Sequence, residues 1–565
     1  MLHPVGGACP LAAPQGRTLG DVPRPADRPL PLLPAALLAA AGGGLSAAAF
    51  PGLGWWPLAP VGVAALVLAV AGQRPRRAAL LGLLHGWAFF VPLLQWSGVY
   101  VGALPWLALA TLCALFHVLL AALLPRALRA PWGLAPLAVA GTWVAVEALR
   151  ARVPFGGFPW GRLAFSQADA PTLGLASLGG SPLVSFAVAL SGALLALAVT
   201  TLARRGRLVQ LPDVRLPSRG TGGRATRAAA AAAALAVAAM GAGALLPRPV
   251  DASEGTAQVA AVQGNTPEPG LDFNAERRAV LDNHARATLE LAREVRAGRA
   301  PQPELVLWPE NSSDIDPLLN PDAAAVISRA VEAVDAPTLV GAVLQGPGEG
   351  LSNAGIVWRP GTGPTERYVK QRPAPFGEYM PYRSFFRIFS DKVDLVRQDF
   401  VAGTSTSLLP MGPALVGDII CFEVLFDDLA REAVAAGADL LVVQTNSATF
   451  GTSNMAPQQL AMSRLRAVET GRSVVHVSTV GISALITPDG VAHQSTELLT
   501  SAVLQGELPL RSGLTFAVRH GLAVELFLCG VGVLLLLAAR RRPRAAAVAS
   551  GPPVAVDLDV PAVRA

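Results

Sequence analysis

Eight apolar runs, each near the roughly 20 residues a helix needs to cross a bilayer, constrain this chain more than any other feature. Seven fall at about 32–50, 55–71, 78–96, 104–124, 132–149, 183–202 and 228–246, and the eighth at about 522–539. One such run could be a buried core helix, but eight together imply a multi-pass α-helical membrane bundle. Several contain Gly or Pro, which bundle partners tolerate in lipid. Arginine placement supplies an orientation. Arg74, Arg76 and Arg77 follow the second run, Arg126 and Arg129 the fourth, a cluster from Arg204 to Arg227 the sixth, and Arg540, Arg541, Arg542 and Arg544 the eighth. Basic loops stay cytoplasmic, so both termini are expected inside and the segment between runs seven and eight outside. Arg150, Arg152 and Arg162, after the fifth run, oppose this pattern and are outnumbered.

The composition agrees. With 52% hydrophobic residues and 15% charged, the chain is too apolar for an ordinary soluble enzyme and suits a membrane protein with a sizeable soluble part. Its formal net charge of +6 rests on arginines clustered between apolar runs, with very few lysines. That balance reads as membrane topology and not as nucleic-acid binding, for which no module is visible. The four cysteines, Cys9, Cys113, Cys421 and Cys529, form neither a disulfide framework nor a CxxC metal spacing. The expected organisation is a disordered cytoplasmic leader (1–30), a seven-helix transmembrane region (31–248), a soluble domain (249–519), the eighth helix (520–540) and a cytoplasmic tail (541–565).

Within the soluble segment, 257–264, 304–310, 338–345, 355–359, 366–370, 414–421, 439–445 and 473–487 read as buried strands. Helical periodicity marks 274–297, 323–334, 427–436 and 457–470. Strands alternating with helices predict a layered α/β domain.

Three strand ends carry complementary chemistry. The run Gly417-Asp-Ile-Ile-Cys421-Phe-Glu423 ends a buried strand in a cysteine, a position from which a rigid sheet can present a nucleophile. Alone, Cys421 would read as a small core residue. Two further stretches overturn that: Glu304-Leu-Val-Leu-Trp-Pro-Glu310, and Tyr368-Val-Lys370 followed by Pro375-Phe-Gly-Glu378. A free thiol titrates near 8.5 and is a poor nucleophile until it loses its proton. A neighbouring ammonium favours the thiolate and a carboxylate within reach can carry the proton away. Lys370 and Glu310 are the candidates for those roles. Lys370 and the backbone N–H of Phe422 are candidates to stabilise a tetrahedral oxyanion.

Acid, lysine and cysteine in this order, each at a strand end, resemble the Glu-Lys-Cys triad of the nitrilase superfamily, which stands on an α-β-β-α sandwich. Flanked by seven helices before and one after, the domain is similar to the apolipoprotein N-acyltransferase family, the membrane-embedded branch of that superfamily. The resemblance extends to Gly157-Phe-Pro-Trp160, Phe165-Ser-Gln167, Val262-Gln-Gly-Asn265, Thr445-Asn-Ser-Ala448 with Phe450-Gly451, the helix Arg464 to Glu469, and Gly481. Phe422, Thr449 and Arg372 depart from the commonest residues at their positions. The resemblance implies transfer of an acyl chain from a phospholipid to the α-amino group of a lipoprotein's diacylglyceryl-cysteine, through a ping-pong thioester on Cys421. It implies no metal and no diffusible cofactor, the bilayer as a partner, and a bacterial inner-membrane protein with an extracytoplasmic catalytic face. Glu378 takes the place of a second essential glutamate that orients the lysine and acid, and Glu423 a supporting place. The same triad would serve a membrane-tethered amidase using water; a non-catalytic lipid-binding scaffold is a second alternative, and a polytopic transporter would account for the helices alone but not for the domain.

Both substrates are lipids, so access is expected from the bilayer. The stretch 381–389 mixes Phe385, Phe386 and Phe389 with Arg383 and Arg387, as a lid dipping into the interface would. Its arginines could meet phospholipid phosphate. Phe450 is expected to line the same route. His85 and His117 read as packed helix residues. Glu147 and Glu525, within apolar runs, are expected to pair with arginine or line the substrate entry.

Overall fold

Alanine- and leucine-rich runs form helices wherever the sequence predicts a span. The computed structural model describes residues 29–208, 221–267 and 277–539, so most of the expected leader and all of the expected tail lie outside the described residues. The first seven helices are α1 (Leu32–Ala48), α2 (Leu58–Val70), α3 (Pro75–Leu93), α4 (Ala103–Ala127), α5 (Ala135–Arg150), α6 (Ala176–Leu208) and α7 (Thr221–Gly241). Leu33, Leu37, Leu104 and Leu115 face outward, as side chains meeting lipid would, while Ala39, Ala64, Ala121 and Ala140 pack inside. The sixth helix begins earlier than its apolar run suggests, because Gly180 takes φ +62° and turns the chain within it.

Between α7 and the last helix the periodicity switches to strands. Among the described residues, twelve strands form two six-stranded sheets. The first contains β1 (Thr256–Gln263), β2 (Leu305–Leu307), β3 (Thr338–Gln345), β4 (Leu351–Arg359) and β5 (Gly363–Val369). The second contains β6 (Leu408–Met411), β7 (Ala414–Ile420), β8 (Leu440–Thr445), β9 (Ser473–Ser478), β10 (Ala484–Ile486) and β11 (Ala492–Ser495). β12 (Ala502–Pro509) then returns to pair antiparallel with β1, giving the order β12-β1-β2-β3-β4-β5 against β11-β10-β9-β8-β7-β6. Each sheet has three parallel strands, β1-β2-β3 or β7-β8-β9, extended by antiparallel neighbours.

The crossovers are helices α8 (Arg277–Arg296) and α9 (Pro321–Val334) in the first half, and α11 (Asp427–Ala435) and α12 (Met455–Thr470) in the second; between the halves lies a short helix, α10 (Arg383–Phe386). Val259, Leu307, Val416, Ile420 and Val442 fill the space between the sheets. Leu281 and Ile327 pack α8 and α9 on the first sheet. The layers are therefore α-β-β-α. The second helical layer packs against the membrane region: Leu429, Met462 and Leu465 share one core with Phe90, Trp160 and Val184.

The closing helix, α13 (Phe516–Ala538), packs on α5 and α6. Its Gly532 meets Gly141 of α5 so closely that a Cβ on Gly141 would lie 2.6 Å from the Gly532 nitrogen, the small-residue contact by which membrane helices approach. Among the described residues, four helical stretches are long and apolar enough to cross a membrane: Ala103–Ala127, Pro171–Ala203, Gly223–Leu245 and Phe516–Ala538. α1 and α2 are apolar but shorter.

Two strand expectations change. The single strand expected over 473–487 is two, β9 and β10, separated by a turn in which the Ser478 hydroxyl accepts the Gly481 N–H. β6, β11 and β12 went unpredicted. β11 and β12 are largely unburied and lack the alternation that marks a strand in sequence.

Candidate active site

The three strand ends converge. Trp308 still donates to Leu339 O (2.8 Å), and Gln444 Nε2 donates across the sheets to Trp308 O (2.6 Å), so the chain is held in register up to Pro309-Glu310. Lys370 follows β5, its N–H given to Asn353 O at 2.9 Å. Its side chain is 2% exposed. Nζ donates to Glu310 Oε1 at 3.0 Å and to Glu378 Oε1 at 2.9 Å. Asn353 Nδ2 donates to the same two oxygens at 2.7 and 2.8 Å. The remaining oxygens are also held, Glu310 Oε2 by the Asn446 N–H (3.0 Å) and Glu378 Oε2 by the Ala374 N–H (2.6 Å). Lysine and both carboxylates thus form a closed buried knot.

Cys421 begins a tight 3-10 turn immediately after β7, with φ +52°, a left-handed conformation that a non-glycine residue adopts only when its surroundings enforce it. Gln459 Nε2 reaches Sγ at 3.5 Å, while its Oε1 accepts from Thr445 Oγ1 at 2.8 Å. Glu423 braces the turn from beneath. It accepts the Ile420 N–H (2.9 Å), the Gln371 N–H (2.7 Å), the Arg372 N–H (3.1 Å) and the Tyr368 hydroxyl (2.9 Å). One carboxylate therefore ties the strand end that carries the lysine to the strand end that carries the cysteine.

The electrostatics pull the lysine and the thiol in different directions. Burial alone would lower the Lys370 pKa, but Glu310 and Glu378 outweigh it, and the ammonium is held above the usual lysine range. The Cys421 thiol is pushed up to about 12, first by burial and then by the Glu310 carboxylate, against the opposing pull of Lys370 and Gln459. The ammonium favours the thiolate, but burial and the Glu310 carboxylate outweigh it. The resting group is a thiol near a carboxylate.

The chain carries matches to known families in both parts. Residues 42–194 match the apolipoprotein N-acyltransferase N-terminal domain, and 258–513 match the carbon-nitrogen hydrolase family. It is 46% identical over 518 residues to the apolipoprotein N-acyltransferase of Mycolicibacterium smegmatis, covering 89% of this chain and 85% of that protein. The apolipoprotein N-acyltransferase of Azotobacter vinelandii is 33% identical over 541 residues, covering 92% and 98%. The chain belongs to the apolipoprotein N-acyltransferase family. Among solved structures, an amidase from Nesterenkonia sp. is 18% identical with a TM-score of 0.34, covering 47% of this chain and 95% of that one.

Loops of the N-terminal helical region wall the site. Phe158 stacks on Phe422 with centroids 6.2 Å apart, and Trp96 meets Phe450 edge-on at 5.2 Å. Trp160 donates to Gln458 Oε1 at 2.6 Å, next to the glutamine that holds Cys421. The expected lid is α10 with its flanks, and none of α10 is buried. Phe386 meets Phe376 at 4.9 Å and Phe155 at 6.3 Å, whereas Phe385 and Phe389 are exposed. Its arginines pair with acids, Arg383 with Asp399 and Arg387 with Asp394. Arg372 pairs with Asp428 and lies over the Phe426 ring at 4.3 Å.

The polar residues of the apolar runs also find partners. His85 and His117 stack with their Nδ1 atoms 3.0 Å apart. Glu147 accepts from Trp143 Nε1 (3.1 Å) and the Leu163 N–H (3.0 Å). Glu525 pairs with Arg152 and Arg162, as expected of an acid in a span. Arg150 donates to the Phe158 and Trp160 carbonyls. The three arginines that opposed the orientation rule are therefore structural ligands of the fold.

Sequence reasoning passed over Asn353 and Gln459. The available signal was an amide side chain within an otherwise buried apolar strand or helix face, where an unpaired polar group is costly.

Proposed function

We propose that this acyltransferase moves an acyl chain from a phospholipid to the α-amino group of a lipoprotein's N-terminal diacylglyceryl-cysteine, with Cys421 as nucleophile, Glu310 as base and Lys370 as electrostatic stabiliser. The observation that carries the reading is the protonated thiol, in a strained turn, beside a carboxylate whose other partners are already fixed. Glu310 takes the thiol proton as Sγ attacks the ester carbonyl carbon. Lys370 Nζ and the Phe422 N–H stabilise the tetrahedral oxyanion. As it collapses, the ester C–O bond breaks, Glu310 returns the proton to the leaving oxygen, and a lysophospholipid departs from the Cys421 thioester. The lipoprotein amine then attacks that thioester; Glu310 accepts its proton, the C–S bond breaks, and the proton restores the thiol. Glu378 and Asn353 orient Lys370 and Glu310, and Glu423 holds the turn. No step calls for a metal or a diffusible cofactor.

The flanking elements suit lipid substrates. Eight spans in the bacterial inner membrane, with the segment 249–519 outside, agree with the seven helices before it, the one after it and the arginine-rich even-numbered exits. Phe385, Phe386 and Phe389 are suited to insert into the interface, with Phe450 on the route to Cys421; Arg383 and Arg387 stiffen the lid through their aspartates. Intact-mass measurement after exposure to phospholipid vesicles should find one acyl chain on the wild-type protein, absent from Cys421→Ala and Cys421→Ser. Near-normal transfer by Cys421→Ala would end the covalent route. Release of free fatty acid in place of N-acylated lipoprotein would favour the amidase reading.

A further inference from the structure

A second ionic cluster lies where the catalytic domain meets the membrane helices, away from the Lys370 knot. Its centre is Asp427, the first residue of α11. Asp427 accepts from Arg162 of the α5–α6 loop, from the Ser181 hydroxyl of α6 (2.8 Å) and from Arg466 of α12 (2.6 Å). Arg466 reaches further: Nε and Nη2 donate to the carbonyls of Val424 and Leu425 at 2.8 and 2.9 Å, within the turn that begins at Cys421. Arg162 is also bound by Glu525 of α13 at 3.3 Å. Arg431 pairs with Glu469 at 2.6 Å. The membrane helices make room for it, since a Cβ on Gly180 or Gly521 would lie 2.1 or 2.3 Å from the Arg431 guanidinium.

We infer that this joint sets the position of Cys421 relative to the bilayer, with Arg162 and Asp427 as its positioning residues. The inference rests on Cys421 being the acyl carrier. The apolar contact between α12 and the bundle is non-directional and could settle at more than one register. Arginine–carboxylate hydrogen bonds are directional, and an unpaired charge in a buried site is costly, so the joint admits few arrangements. Only Phe422 to Phe426 separate the nucleophile from Asp427, and Arg466 holds the turn between them. A displacement of the bundle is thereby passed to Sγ. The burial that would raise the Asp427 carboxyl is outweighed by Arg162, Arg466 and Arg431, which hold it well below the usual range, so that carboxylate stays charged at any working pH.

The test uses the full chain in phospholipid nanodiscs. Cys421 acylation from phosphatidylethanolamine–phosphatidylglycerol vesicles is compared with its alkylation by iodoacetamide. Arg162→Gln should slow acylation by about tenfold to a hundredfold, the scale of a small misplacement, and leave alkylation within about twofold. Arg162→Lys, which keeps the charge, should recover part of the loss. An equal fall in both reactions, or no fall in either, would overturn the joint. Should Arg162→Gln not fold, Ser181→Ala removes only the neutral arm and should slow acylation selectively; unchanged acylation there would also count against the joint. Wild-type protein that takes no acyl group from vesicles would instead remove the reading of Cys421 as carrier.

Discussion

The protein buries two ionic clusters, and they are balanced differently. In the active site one lysine faces two carboxylates, Glu310 and Glu378, so a negative charge is left in excess beside a thiol. At the domain–membrane joint, Arg152, Arg162, Arg431 and Arg466 meet Asp427, Glu469 and Glu525, so cations outnumber acids and every carboxylate is paired. On the proposed mechanism, the difference separates a cluster that accepts a proton from one that only holds position. In the joint, a proton gained by any carboxylate would strand an arginine. In the site, burial first and the Glu310 charge second raise the thiol to about 12, and on the proposed mechanism that same carboxylate takes its proton.

Neutralising the excess should have the largest effect. Glu310→Gln is expected to lower acyl transfer by about 10²–10⁴-fold, the usual worth of a general base. The same change removes a charge that raises the thiol pKa, so iodoacetamide alkylation at fixed pH should quicken. The sign follows from the raised pKa: well below about 12 the thiolate fraction is small and grows tenfold per pH unit. Wild-type alkylation should therefore rise with unit slope between about pH 7 and 10, with no plateau near the roughly 8.5 of a free cysteine. A plateau there would erase the contrast between the clusters.

A smaller effect is expected where geometry changes and charge does not. Asn353→Ala removes two hydrogen bonds to carboxylates, and bonds of this kind are worth about 1.5–3 kcal/mol each. Part of that is recovered by Lys370, so kcat should fall by roughly tenfold to a hundredfold. KM for phospholipid should change little, because Asn353 lies behind the reacting groups. A change confined to KM would move Asn353 from the site to the substrate route.

The lid offers the mildest test, since it has neither excess nor buried balance. Phe385→Ser with Phe386→Ser gives up apolar area worth about 1.5–3 kcal/mol per fully buried ring. Phe385 is already exposed, so vesicle-dependent acylation should fall by about tenfold while alkylation is spared or quickened. Equal losses in both would indicate misfolding and leave the lid without a role.

Which groups could carry the chemistry was legible along the chain: Glu310, Lys370 and Cys421 each follow the end of a strand, in local contexts a reader of the sequence can recognise. The sequence by itself also determined where helices form in the membrane region, because bilayer thickness imposes a run length that few other structures require. Tertiary structure decided what each of these groups faces. Asn353 and Gln459 stand out locally only as amides on buried faces; what they hold could not be read there, since Glu310, Glu378, Cys421 and Thr445 come from other parts of the chain. The return of β12 to β1 was hidden for the same reason: a half-exposed strand is specified by the edge it pairs with. The protonation of Cys421 is a sum of burial and three neighbouring charges, and no one stretch contains it. Arg150, Arg152 and Arg162 are the clearest case. Counted along the chain they contradict the membrane orientation; in the fold, carbonyls and the carboxylates of Glu525 and Asp427 bind their charge, with Arg150 and Arg162 buried and Arg152 half exposed, and a charge bound within the fold no longer reports on which side of the bilayer a loop lies.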